Sequence, residues 1–191
     1  MFEEILNAYD WDFCQIQFNY MDTDIQAGLR GYELAKSKNI PITIMEPVKG
    51  GMLADVPEEI KAEFRRVHPD WSDASWALRW VGDHDNVQTV LSGMSTLEQV
   101  IDNVKTFSEI EPLSTEELNT IEQARQLFQA RIQVPCTGCR YCMPCPFGLD
   151  IPKNFRLLNT AHVYNVQAAQ KAGYDAMEIT EKASHCQKCG S

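Results

Sequence analysis

Val87–Phe107, VQTVLSGMSTLEQVIDNVKTF, passes from a β-branched run straight into a segment of helical period. Val87 to Leu91 has the composition of a short strand. Ser95 and Glu98 then stand at the spacing of a capping box, and Leu97, Val100, Ile101, Val104 and Phe107 recur on one face of the helix behind it. A strand feeding a helix directly is one βα unit, so the stripe is predicted to be buried.

Upstream, the same alternation recurs. Phe13 to Phe18 reads as a strand, and a helix follows from about Asp24 to Lys38, with Ile25, Leu29, Tyr32 and Ala35 on one face and Asn39 placed to end it. Ile42 to Met45 is the next strand. Pro57 opens a helix carrying Ile60, Phe64 and Val67, and Ser72 caps another carrying Ala74, Ala77, Leu78 and Val81. Downstream, Ser114 with Glu117 opens a helix through about Arg131, and Pro152 to Leu158 and Ala161 to Ala172 read as two more. Three βα units cannot close a barrel. They leave two strand edges and uncovered apolar surface, which predicts self-association through the edges at Phe13 to Phe18 and Val87 to Leu91.

The other informative stretch is PCTGCRYCMPCPFGLDIP, where Cys136, Cys139, Cys142 and Cys145 recur at intervals of three and Pro146 follows the last. Cys186 and Cys189 in HCQKCGS repeat the two-residue gap. Three close Cys followed by Cys-Pro is nearly the run by which bacterial ferredoxins hold a cluster, with the last gap one residue shorter. Zinc is the rival, because Cys136/Cys139 with Cys186/Cys189 would make a four-thiolate site; it leaves Cys142 and Cys145 unexplained. Disulfides suit neither the odd count of seven Cys nor MFEEILNAYD, which lacks the pattern of a secretory leader. Cys14, within FCQIQF, is expected to be a buried small hydrophobe.

Composition narrows the partners. A formal charge of −10 with no basic stripe argues against nucleic acid, and no apolar run approaches the length that spans a bilayer. Thiol clusters point to a reducing cytoplasm. The four His, at positions 68, 84, 162 and 185, are expected at the surface, with only His185 beside the cysteines.

FCQIQFNYMD, ITIMEPVKGGML, WALRW and VLSGMSTLEQVIDNV together resemble the C-terminal half of an aldo/keto reductase barrel, at its sixth to eighth strands. From Pro135 onward the chain is similar to the ferredoxin-like extension of one subgroup of that family. The resemblance implies an α/β fold: the last three βα units of a (β/α)8 barrel over residues 1–132, then a mainly helical cysteine-rich domain over residues 133–191, cut at its end.

It also implies NADPH or NADH as cofactor and a small carbonyl substrate. Gln15 would bond the nicotinamide carboxamide, and Met45 would stack on its ring. Pro47, Val48, Gly50 and Gly51 would line the pyrophosphate, with Lys49 leaning toward the phosphates. Gly93, Met94 and Ser95 would meet the adenosine phosphate, and Gln99 and Asn103 the adenine end. No Lys or Arg stands near Met94 and Gln99 to select a 2′-phosphate. The family's catalytic Asp, Tyr, Lys and His lie before the sixth strand, so no catalytic residue is expected in this chain. The family layout implies one 4Fe-4S cluster on Cys136, Cys139 and Cys142 and another on Cys145, Cys186 and Cys189, each one ligand short in this chain, or a single cluster on Cys136, Cys139, Cys142 and Cys145 or a mixture with the later pair; a redox protein partner completes the expectation. The alternative is a non-catalytic zinc-binding or interaction module.

Overall fold

The computed structural model describes residues 1–108 and 110–189. The chain divides into two compact units, Met1–Arg125 and Gln126–Ser191. In chain order the first holds α1 (Phe2–Asn7), β1 (Cys14–Gln17), α2 (Gly28–Ser37), β2 (Ile42–Met45), α3 (Glu58–Val67), α4 (Asp73–Gly82), β3 (Val87–Val90) and α5 (Leu97–Ser108). Helix α6 (Thr115–Ala130) runs across the division, and α7 (Ile151–Val163) and α8 (Gln167–Asp175) belong to the second unit. None of the described helices is long and apolar enough to cross a membrane.

The three strands form one parallel sheet in the order β1-β2-β3. Its register separates two faces. Ile16, Ile44 and Val90 lie in one row across the sheet, and Gln15, Thr43 and Thr89 in a row on the opposite face. The first face carries the core, where Ile16, Ile42 and Ile44 pack with Phe18, Tyr32, Ala35 and Val81. The central row of the second face is polar, with Met45 the exposed apolar residue beside it, so the open side of the sheet leaves less apolar surface bare than three unclosed βα units suggest.

Several helices start where sequence chemistry places them. Ser72 Oγ accepts from Ser75 N at 2.9 Å, and Ser114 and Glu117 form a reciprocal capping box, with Ser114 N donating to Glu117 Oε2 at 2.5 Å and Glu117 N to Ser114 Oγ at 3.3 Å. Asn39 ends α2 with φ 55°, a left-handed position.

Other expectations are corrected. Helix α2 begins at Gly28 rather than Asp24, because residues 22–27 turn: Gly28 has φ 52°, Leu29 N donates to Thr23 O at 2.7 Å, and a Cβ at Gly28 would lie 2.2 Å from that carbonyl. Ile25 and Leu29 are exposed in consequence. The capping box of α5 is Thr96/Gln99, one residue later than predicted: Gln99 N donates to Thr96 Oγ1 at 3.3 Å and Gln99 Oε1 accepts from Thr96 N at 3.2 Å.

The larger correction concerns the face of α5 that is buried. Asn103 and Thr106 point inward, while Leu97, Ile101 and Val104 are 60–67% exposed. The inward face is fixed by polar bonds, Thr106 Oγ1 to Ser75 Oγ at 2.9 Å and Ser72 Oγ to Asp102 Oδ2 at 2.6 Å. His84 is likewise not a surface residue; it lies edge-on to Phe18 and Tyr32, each 4.9 Å away between ring centroids. His68 is half-buried, 2.6 Å from Glu117 Oε1. Cys14 is only partly buried, packed against the core, and burial raises its thiol pKa.

In the second unit α7 is one continuous helix across the break predicted at residues 159–160. Asp150 caps it by accepting from Lys153 N at 3.2 Å. Asn159 stays helical while its side chain works outward: its Oδ1 accepts from Gln133 N and Val134 N, and its Nδ2 donates to Val134 O at 2.7 Å. Asn154 does the same for the other end of the unit, donating to Glu181 O at 2.8 Å and accepting from Ala183 N at 2.8 Å. Two asparagines on one helix thus pin the approaches to both cysteine runs.

Candidate functional site

The loop after β2 and the turn into α5 enclose a cleft of about 400 Å3 at the C-terminal ends of β2 and β3. The structure brings together Pro47, Val48, Gly50, Gly51, Gly93, Met94, Ser95, Gln99 and Asn103 around it. Gln15 and Met45 lie outside its lining; Gln15 Nε2 donates to Met45 Sδ at 3.3 Å. Glu46, Ala54, Ala74, Leu91 and Ser92 also line the cleft. Nothing in their type or periodicity singles them out in the sequence.

The loop is built from left-handed residues: φ is 58° at Glu46, 50° at Lys49, 62° at Gly50 and 89° at Gly51. Two of these are not glycine, a conformation held against its intrinsic preference. What holds it comes from the end of β1. Asn19 Nδ2 donates to Glu46 O at 3.0 Å, and the Lys49 ammonium sits 2.5 and 2.6 Å from the two oxygens of Asp22. Asp22 Oδ2 also accepts from Gln17 Nε2 at 2.9 Å and from Asn19 Nδ2 at 3.1 Å. Lys49 therefore leans onto a buried carboxylate and not toward the cleft, as its charge alone had suggested.

On the opposite wall, Gln99 Oε1 gathers Ser95 N at 2.8 Å and Thr96 N at 3.2 Å, so one neutral carbonyl oxygen occupies the N–H groups of the two residues that lead into α5. Asn103 Nδ2 donates to Ser92 Oγ at 2.8 Å and fixes the turn after β3. Gly93 lacks a positive φ, and a Cβ built on it meets nothing within 4 Å. Neither backbone nor packing requires glycine there, and the space beside it is open; on the lining of a cleft, that openness suits a close-approaching group.

In the second unit, Cys142, Cys145, Cys186 and Cys189 line one cavity of about 510 Å3, walled also by Pro146, Leu149, Ile151 and Phe155. Cys136 lies on a different cavity. Most of the cysteines are exposed, and the Tyr141 N–H and the Thr137 hydroxyl hold the Cys139 thiol below its ordinary pKa. Among the described residues no three His, Cys, Asp or Glu side chains converge closely enough to hold a metal ion. The run that carries them is irregular backbone, so no helix or strand fixes the directions of its thiols. In donor type, the soft sulfur ligands of the two runs are those that thiolate-bound clusters use.

Residues 2–126 match the profile of the Aldo/keto reductase family. No curated protein sequence matches the chain. Among solved structures, the aldo-keto reductase AKR11C1 from Bacillus halodurans is similar in its apo form, at 24% identity and a TM-score of 0.51 over 63% of this chain and 46% of that one. Its holo form matches at 24% identity and a TM-score of 0.51, over 63% of this chain and 45% of that one. The chain thus spans less than half the length of these structures, and at this identity the likeness shows the fold.

Proposed function

The chain belongs to the aldo/keto reductase family, and from that premise we propose that it is the cofactor-binding and cluster-bearing part of an NAD(P)H-dependent oxidoreductase acting on small carbonyl compounds. The observation that carries this is the open cradle at Gly93, within a cleft lined by both loops on which such a barrel holds a dinucleotide. When bound, the nicotinamide ring supplies the hydride. Gly50 and Gly51 admit close backbone approach to the pyrophosphate. A phosphate that displaces the Gln99 carbonyl from Ser95 N and Thr96 N gains two N–H donors at a helix start. Gln15 and Met45, on the open face of the sheet, would hold the nicotinamide end.

Titration calorimetry with NADPH and NADH tests this. Saturable binding with a dissociation constant near about 1 mM, weakened at least about tenfold by Gly93→Val with an unchanged melting curve, is expected. Heats indistinguishable from dilution would overturn it.

For the second unit, Cys136, Cys139, Cys142, Cys145, Cys186 and Cys189 would hold iron–sulfur chemistry of the 4Fe-4S type, accepting and releasing electrons. The convergence of Cys142/Cys145 with Cys186/Cys189 on one cavity also favours a second assignment, a structural zinc on two CxxC pairs. Metal analysis decides between them. Brown, anaerobically purified protein with iron and acid-labile sulfide is expected; colourless protein with stoichiometric zinc overturns the cluster.

A further inference from the structure

Charge is divided unevenly along the chain. Residues 126–191 carry seven Lys and Arg against four Asp and Glu, a net +3, whereas residues 1–125 carry 10 against 23, a net −13. Within the second unit, Arg140, Lys153 and Arg156 line one open cavity of about 420 Å3 whose rim includes Cys136. The carboxylate on that cavity, Asp150, is engaged as the cap of α7, and Lys153 lies 3.4 Å from Glu181 Oε2.

The two arginines stand apart from the rest of their kind. Arg30, Arg65, Arg66 and Arg125 each pair with a carboxylate, Arg79 lies 4.1 Å over the Trp71 ring, and Arg131 donates to backbone carbonyls at 2.9 and 3.1 Å. Among the described residues, Arg140 and Arg156 have no such partner. In a protein of net charge −10, two unneutralised guanidiniums beside an ammonium make a local electropositive concavity. Both arginines are exposed, which suits a broad surface contact and not the enclosure of a small anion.

We propose that this concavity is the docking surface for a small acidic electron-carrier protein, which its carboxylates bring onto the cysteine-bearing unit at the Cys136 rim. The acidic character of the partner rests on the arginines; its redox character rests on the iron–sulfur assignment above. Opposite charge steers encounter and fixes orientation, while the acidic first unit disfavours the same partner elsewhere on the chain.

The test uses the full chain, purified anaerobically with iron and sulfide assayed first, and an acidic bacterial ferredoxin as probe. At low ionic strength saturable binding is expected, weakening steeply with added salt. The Arg140→Glu/Arg156→Glu variant should lose about tenfold or more in affinity, with iron content and circular dichroism unchanged. Binding indifferent to the two reversals or to salt overturns the proposal. So does saturable uptake of inorganic phosphate lost in the same variant with no ferredoxin binding, which would make the cavity a small-anion site. Iron-free protein that still shows arginine-dependent binding keeps the docking surface for an acidic partner and overturns that partner's electron-carrier character together with the cluster assignment.

Discussion

Asp22 shows how a single buried charge sets the shape of the cleft. Its carboxylate is 2% exposed, and the ammonium that answers it belongs to a residue with left-handed backbone. Removing one partner of such a pair strands the other charge in a poorly hydrated place. Lys49→Met is therefore expected to lower unfolding stability by about 3 kcal/mol, and Asp22→Asn/Lys49→Met to recover most of it, as read by urea denaturation; a loss below about 0.5 kcal/mol in the single variant would be the yield of a surface pair only. His84 is the other residue with a legible consequence. Burial pushes its imidazole below the ordinary value, against the opposing pull of the Trp80 carbonyl and the Asp83 charge. The unfolded chain takes up this proton near about pH 6.5, where the native state still refuses it. Stability should thus fall as pH descends through that value. Urea midpoints at pH 7.5 and 5.5 check it: the difference should shrink in His84→Phe.

Among the elements, α5 departs furthest from its sequence. Its apolar period is real, and Leu97, Ile101 and Val104 do share a face, but that face looks outward. Periodicity says which side chains stand together. It does not say which side the rest of the molecule covers. Here Ser75 Oγ and Ser92 Oγ accept from Thr106 and Asn103, Ser72 Oγ donates to Asp102, and these bonds orient the helix. Ile101→Glu should change unfolding stability by no more than about 0.5 kcal/mol. By contrast Trp76→Ala, at a fully buried site stacked 4.6 Å from Phe64, should cost about 3–5 kcal/mol. Equal losses in the two variants, at a dilution where the chain is monomeric, would mean that the α5 stripe is covered within the chain.

For the whole molecule, the open sheet is less of a liability than its unpaired edges imply, because its bare row is Gln15, Thr43 and Thr89. Among the described residues α5 carries a contiguous uncovered apolar stripe, Leu97, Ile101 and Val104, while Phe13 and Leu91 are exposed singly at the ends of β1 and β3. Self-association is accordingly expected to run through that helix more than through β1 and β3, and sedimentation should show Ile101→Glu/Val104→Lys as more monomeric than the parent chain. Catalysis is the complementary case. Tyr20 and Tyr32 are buried at 0% and 3% exposure and neither lines the cleft; the Tyr32 hydroxyl donates to Asp85 Oδ1 at 2.8 Å. No turnover of an aldehyde with NADH or NADPH is expected from this chain alone. Turnover that Gln15→Ala abolished would place the chemistry within it.

Local rules were sufficient for the three βα units, the caps at Ser72 and Ser114, the stop at Asn39 and the glycine loop, because each depends on residues a few positions apart. The gathering of the two loops around one cleft was also foreshadowed, since consecutive parallel strands deliver their C-terminal ends to the same edge. The Lys49–Asp22 clamp joins residues 27 apart in the loops that follow two different strands, and no local pattern specifies it. The inward turn of His84 and the outward turn of the α5 stripe were decided likewise, by which surfaces were left to be covered once the sheet had formed. Asn159 falls at the break between two helices predicted from the sequence, whereas Asn154 lies inside the first of them. They are helix residues because their amides satisfy backbone groups of segments that only the folded unit brings alongside.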